Sequence, residues 1–149
     1  ELSYKNLSLR VLANGVYGND IANGNLLQLA TPEGISWSNI TTAAYNNAWR
    51  PERTSNSYPR IGYTTNGQIA MPDWIIEDGS FLRISNINLS YQFDRINIYL
   101  SAQNLFTFTG YSGYNPEVTS FLYDGLRNGV DWNGQPSARK FTIGLNFNL

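Results

Sequence analysis

Hydrophobic and polar residues alternate with period two in four stretches of the chain, the pattern of β-strands with one apolar face. In the first, Leu7, Leu9, Val11 and Ala13 fall on one side and Ser8, Arg10 and Asn14 on the other, with Leu12 breaking the rule. In the second, Ile87, Leu89, Tyr91 and Phe93 oppose Asn86, Asn88, Ser90 and Gln92. Phe81 to Ile84 begin this stretch out of phase, which predicts a bulge or phase change near Arg83. In the third, Ile96, Ile98, Leu100 and Ala102 oppose Asn97, Tyr99, Ser101 and Gln103. In the last, Phe141, Ile143, Leu145, Phe147 and Leu149 oppose Lys140, Thr142, Gly144, Asn146 and Asn148.

The connections are unequal. Stretches two and three meet in a tight turn around Asp94-Arg95. Stretches one and two are separated by about Tyr17 to Gly79, rich in Asn, Gly, Pro and Trp. Inside this segment, Asn39 to Trp49 reads as a short helix capped by Asn39 and stopped by Pro51. A second long segment runs from about Phe108 to Ser137. Short turns at one end and long loops at the other characterise outer-membrane barrels, whose periplasmic turns are short and external loops long. That arrangement places the C-terminus in the periplasm and the long loops outside the cell. No repeat or linker divides residues 1–149 into separate domains.

Alternation alone also suits a soluble β-sandwich, in which the apolar face is core. Composition shifts the balance towards a barrel. Only 14% of residues are charged, and the polar face is built of Asn, Ser, Thr, Gln and Tyr, whereas soluble sheets carry more Lys and Glu on the water side. Aromatics gather near the stretch ends (Tyr17, Phe81, Tyr91, Phe93, Phe106, Phe108, Phe141, Phe147), as interfacial girdles do. In hydrocarbon every backbone polar group needs a partner, so a barrel must close, and the smallest have ~8 strands. Four strands therefore need partners from outside this sequence. The last strand, Phe141 to Leu149, would pair with a first strand that lies N-terminal to Glu1. A start at Glu1-Leu2-Ser3-Tyr4 fits a truncated or mature chain.

The chemistry is sparse. With 10 basic and 11 acidic residues, nothing in the charge points to nucleic acid. Without cysteine, disulfides and thiolate metal sites are excluded; without histidine, so is a Ser-His-Asp triad. No run approaches the ~20 consecutive apolar residues of a membrane helix. The reading is of a protein that is not an enzyme and has no cofactor or metal.

A family resemblance rests on six motifs in order. Asp78-Gly79-Ser80-Phe81-Leu82-Arg83-Ile84-Ser85-Asn86-Ile87-Asn88-Leu89-Ser90-Tyr91-Gln92-Phe93 is followed by Ile98-Tyr99-Leu100-Ser101-Ala102-Gln103-Asn104-Leu105-Phe106-Thr107 and then Gly113-Tyr114-Asn115-Pro116-Glu117. The opening Tyr4-Lys5-Asn6-Leu7-Ser8-Leu9 and the loop pieces Trp49-Arg50-Pro51 and Tyr58-Pro59-Arg60 fit the same alignment. Together they resemble the closing strands of the SusC/RagA family of TonB-dependent outer-membrane transporters. The resemblance implies an all-β fold: the last four antiparallel strands of a transmembrane barrel of roughly 22 strands, with long extracellular loops. It also implies import of a large nutrient, an oligosaccharide or glycan or a peptide, energised by TonB through a plug outside these residues. The remaining N-terminal barrel, the plug, a SusD-like surface lipoprotein and outer-membrane lipid would be its partners. The runner-up is a soluble carbohydrate-binding β-sandwich module. One departure is that such barrels usually finish on an aromatic residue, where this chain has Leu149.

Candidate contact residues follow from these readings. Trp37, Trp49, Trp74 and Trp132 fall in loops, where they could stack on sugars, meet the lid lipoprotein or pin the loops as hydrophobic clusters. Arg10, Asn86, Asn88, Ser90, Gln92, Tyr99, Ser101, Gln103 and Asn146 are expected to face the lumen. Arg10, Arg83 and Lys140 could pair with the plug, with headgroups or with loop carboxylates. Glu77 and Asp78 are adjacent, so an extended backbone points them apart, unsuited to glycosidase chemistry, and they read as solvated loop residues. Asp124, Asn128 and Asp131 could offer oxygen to calcium, but their spacing matches no defined loop. Gly113 to Glu117 reads as a turn.

Overall fold

The alternating stretches become strands and pair in one antiparallel sheet. In the computed structural model, which describes residues 1–30, 39–54, 57–60, 72–118 and 128–147, its strands are β1 (Leu2–Tyr4), β2 (Leu7–Val16), β5 (Phe81–Phe93), β6 (Ile96–Thr109) and β8 (Lys140–Phe147). They lie in the order β1-β2-β5-β6-β8. This is one strand more than the alternation gave, because Leu2–Tyr4 is too short to show a period. It pairs back on β2 through Lys5-Asn6, where Lys5 takes a positive φ of 52°. The remaining strands, β3 (Asp20–Asn23), β4 (Ile76–Asp78) and β7 (Val130–Asp131), form a second sheet in the order β4-β3-β7.

The chain divides into two units: Glu1–Asn19, Gly79–Gly110 and Pro136–Leu149 form the first, and Asp20–Asp78 and Tyr111–Gln135 the second. In the first, called the wall, the long strands run 10, 13, 14 and 8 residues. The two-residue turn at Asp94-Arg95 stands as expected. It shares an end of the sheet with the Lys5-Asn6 turn, because Leu7 pairs with Tyr91 and the Gln92 amide donates to the Asn6 carbonyl at 2.9 Å. The long connections leave from the opposite end.

The phase change lies at Ser85, two residues beyond Arg83. Leu12 pairs with Asn86 and Ala13 with Ile84, so Ser85 is the extra residue on β5. On β6 the matching irregularity falls between Gln103 and Phe106 and includes Asn104 at φ 52°. Ser85 hydrogen-bonds to Asn14, and the Asn104 amide reaches the Ala138 carbonyl at 3.1 Å. Side chains thus take up polar groups where the ladder is interrupted.

The second unit is more ordered than the loop reading allowed. Besides its sheet it holds α1 (Gly24–Ala30), α2 (Thr42–Asn47) and a 3₁₀ turn, Asp73–Ile75. Helix α2 corrects the sequence expectation: it starts after Thr41, whose hydroxyl accepts from the Ala44 amide, and Asn39 instead bonds the adjacent Ile40 amide. It ends at Asn47, before Pro51 can act as its stop, with Ala48 already at ψ 143°. Ile21 and Ile75 are 1% and 0% exposed and, with Ala30, Ala44, Ala48 and Tyr111, supply its buried apolar residues. Trp37, Asp124, Asn148 and Leu149 lie outside the described residues.

Candidate functional site

The wall has two chemically opposite faces, and the strand register reads them off row by row. On one face Leu7, Tyr91, Ile98 and Leu145 lie across the sheet in a row. The next two rows are Leu9, Leu89, Leu100 and Ile143, then Val11, Ile87, Ala102 and Phe141. Beyond the bulge the same face continues with Ile84 opposite Phe106 and Leu82 opposite Phe108. Many of these residues are open: Leu100 is 51% exposed, Phe141 66% and Ile143 76%. An apolar field of this extent, free of charge, suits a hydrocarbon environment better than water.

The other face carries Ser8, Ser90, Tyr99 and Gly144 in one row and Arg10, Asn88, Ser101 and Thr142 in the next. Then come Leu12, Asn86, Gln103 and Lys140. Nearer the turns, Gln92 opposes Asn97, which opposes Asn146. The register thus brings Arg10, Asn86, Asn88, Ser90, Gln92, Tyr99, Ser101, Gln103 and Asn146 onto one face of the sheet. Neighbours on it are linked: Asn97 donates to Gln92 at 3.1 Å and Asn86 to Ser101 at 3.3 Å. The Tyr99 ring lies over Gly144, occupying the space that any side chain at Gly144 would need. Past Ser85 the phase change turns Phe81 and Arg83 to this face. Arg83 is 4% exposed, donates to the Thr107 hydroxyl at 3.1 Å and lies 5.6 Å from the centroid of the Phe81 ring.

Within the second unit, two carboxylates organise a polar knot. Glu77 Oε1 accepts from Asn23 Nδ2 and Ser112 Oγ, both at 2.8 Å, and Oε2 accepts from the Ser112 amide at 2.8 Å. Asn23, 2% exposed, also caps α1 by accepting from the Leu26 amide at 3.0 Å. Asp131, also 2% exposed, accepts from the Tyr111 hydroxyl at 2.7 Å and from the Gly134 amide at 3.1 Å. Burial, and then the bond to Asp131, hold the Tyr111 phenol well above its ordinary value of 10.0. Glu77 is thus a fastener within this unit, in place of the solvated loop acid expected, and Asp131 is a second fastener. Among the described residues, no group of three or more Asp, Glu, His or Cys is placed to hold a metal ion.

Comparison with known proteins places these faces in context. No protein-family model matches the chain. TonB-dependent receptor P3 of Formosa agariphila is 30% identical over 160 residues, covering 98% of this chain and 15% of that protein. TonB-dependent receptor SusC of Bacteroides thetaiotaomicron is 32% identical over 121 residues, covering 72% of this chain and 11% of that protein. The RagAB peptide importer in its open-open state superposes on 99% of this chain with a TM-score of 0.76 at 24% identity, a likeness of fold. The chain is a SusC/RagA-like segment. It spans between 11% and 16% of the length of the curated relatives that it matches.

The described tryptophans of this SusC/RagA-like segment fall in two places. Trp74 meets Tyr58 with ring centroids 6.1 Å apart and tilted by 55°, and the Trp49 amide donates to the Tyr58 carbonyl at 3.2 Å. Trp132 instead packs its indole on Gly24 at the start of α1, where a Cβ would collide with the ring. Asn23, Tyr111 and Ser112 were missed as members of the knot. Only Asn23 carried a sequence signal, an Asn ahead of Leu26-Leu27 at a helix start.

Proposed function

We propose that this segment forms part of the barrel wall of an outer-membrane TonB-dependent importer. Its apolar face meets lipid and its polar face lines the lumen. The two tight turns lie in the periplasm, and the second unit belongs to the external loops. One observation carries the reading: a sheet a single layer thick whose apolar face is exposed along its length, with short turns at one end and long connections at the other. A sandwich would cover that face with a second sheet, whereas strands of 10, 13 and 14 residues match the ~9–11 needed to cross a bilayer.

The remainder of the barrel and the plug would come from outside these residues, with TonB acting through the plug. A SusD-like lipoprotein would meet the external loops, and the cargo would be an oligosaccharide or a peptide. The role is transport without catalysis. Fractionation tests this directly. The native protein should stay with the outer membrane through salt and alkaline washes and leave it only in detergent. Recovery of a soluble 16.8 kDa protein that binds glycan would establish the sandwich module instead.

A further inference from the structure

Every charged side chain within the long strands is basic, and all lie on the polar face: Arg10 on β2, Arg83 on β5 and Lys140 on β8. β6 carries no charge. The three occupy successive polar rows on the side of the long connections, with Arg10 beside Asn88 and Ser101, Lys140 beside Gln103 and Asn86, and Arg83 beside Asn14 and Thr107. Towards the turns the rows are neutral: Ser8, Ser90, Tyr99 and Gly144, then Gln92, Asn97 and Asn146. Arg83 is buried against Thr107, so the accessible cations of this face are the other two. Arg10 and Lys140 are exposed, and Arg10 makes a loose pair with Glu1 at 3.7 Å, both side chains open to water.

We propose that this face is a cationic lining that draws in and orients acidic peptide cargo, an inference that rests on the barrel reading above. A surface of one sign in a confined space concentrates ligands of the other sign and speeds their arrival. Its position on the side of the long connections places it where cargo from outside would first meet the wall. The neighbouring groups suit a peptide. Asn88 and Gln103 beside the cations, and Asn146 nearer the turns, present amides that can donate to and accept from an extended backbone. Sugar stacking wants a free ring, and Tyr99, the aromatic among the Arg10-side neutral rows, has its ring engaged over Gly144.

The test uses the intact transporter in detergent and two peptides of equal length, one bearing glutamates and the other glutamines at the same positions. At about 0.05 M salt the glutamate peptide should associate roughly tenfold faster, and the advantage should vanish at about 0.5 M. The double substitution Arg10→Gln/Lys140→Gln should abolish the advantage, while Arg95→Gln, at the turn end, should leave it intact. Equal rates for the two peptides, or an advantage that survives the double substitution, overturns the proposal. So does binding of neither peptide, or a response confined to uronate oligosaccharides. If the double variant loses only thermal stability, the cations hold the protein's own acidic groups and the proposal also fails. Failure of the barrel reading shows separately, as a soluble protein on fractionation.

Discussion

The wall and the loop unit use the same apolar residue types to opposite ends. In the wall Leu100 and Ile143 stand open on a face that nothing among the described residues of its own unit covers. In the loop unit Ile21 and Ile75 are sealed, and around them Asn23, Glu77, Ser112, Tyr111 and Asp131 satisfy one another. A single sheet layer cannot make a core, so its stability must come from its surroundings and from strands at its edges. The loop unit contains the interactions that hold it. Exposure of a leucine therefore has no fixed meaning until the solvent is known.

The largest effect expected from breaking this contrast is in the loop unit. Ile75→Ala should destabilise it locally by about 2–5 kcal/mol, since a fully buried side chain leaves a cavity. Hydrogen exchange on the intact protein should show faster exchange at Ile76–Asp78 and Asp20–Asn23, with β5 and β6 unchanged. Equal loosening of the wall would refute the independence of the two units. Next comes Leu100→Arg on the apolar face, for which lipid exposure predicts a loss of about 2–4 kcal/mol near the bilayer midplane. Asn88→Arg, one row away on the polar face, should cost less than about 1 kcal/mol, the repulsion from Arg10 opposite it included. Urea titration of the folded barrel in lipid compares the two. A Leu100→Arg cost as small as that of Asn88→Arg would mean that this face meets water.

The Tyr111–Asp131 bond sharpens the comparison from the polar side. Tyr111→Phe strips a donor from a buried carboxylate and should cost the loop unit about 1–3 kcal/mol. The same bond sets an alkaline limit. The folded phenol keeps its proton beyond pH 10.0, where an unfolded tyrosine loses it. Its stabilisation is therefore complete below that pH and is lost progressively as pH rises towards the higher folded value. Protection in the loop unit should fall above pH 10 in the native protein, and the Phe variant should lack that component of the decline.

How much of this was legible in the sequence follows from the same contrast. The wall was readable because each long strand presents one apolar and one polar face, and its residues record that alternation directly. The bulge was detected but placed near Arg83, since parity fixes only that a switch occurs between Ile84 and Ile87; hydrogen-bond register put it at Ser85. The loop unit was not readable. Its strands are four, three and two residues long, too short for any period. Its knot joins Asn23 to Glu77 across 54 positions and Ser112 to Glu77 across 35, which no local pattern encodes. Trp132 was legible as a loop residue but not as a side chain packed on Gly24, because a glycine announces space without naming what fills it.

The smallest expected effect separates two residues that sequence rules rank alike. Asn39 and Thr41 are both good helix caps, yet Thr41 bonds the Ala44 amide at 3.1 Å while Asn39 bonds only Ile40. Thr41→Ala should therefore cost about 1 kcal/mol, within the usual range for a lost cap, and Asn39→Ala only a few tenths, as for a surface change outside a helix terminus. Hydrogen exchange at Ala44 and Tyr45 in the intact protein reads the difference, because the Ala44 amide loses its acceptor and Tyr45 donates to the Thr41 carbonyl at 3.0 Å. If Asn39→Ala proved the costlier change, the helix would begin two residues earlier than its observed start. The wall should be indifferent to both substitutions, and a shift in the protection of β5 would show that the cap matters beyond its own unit.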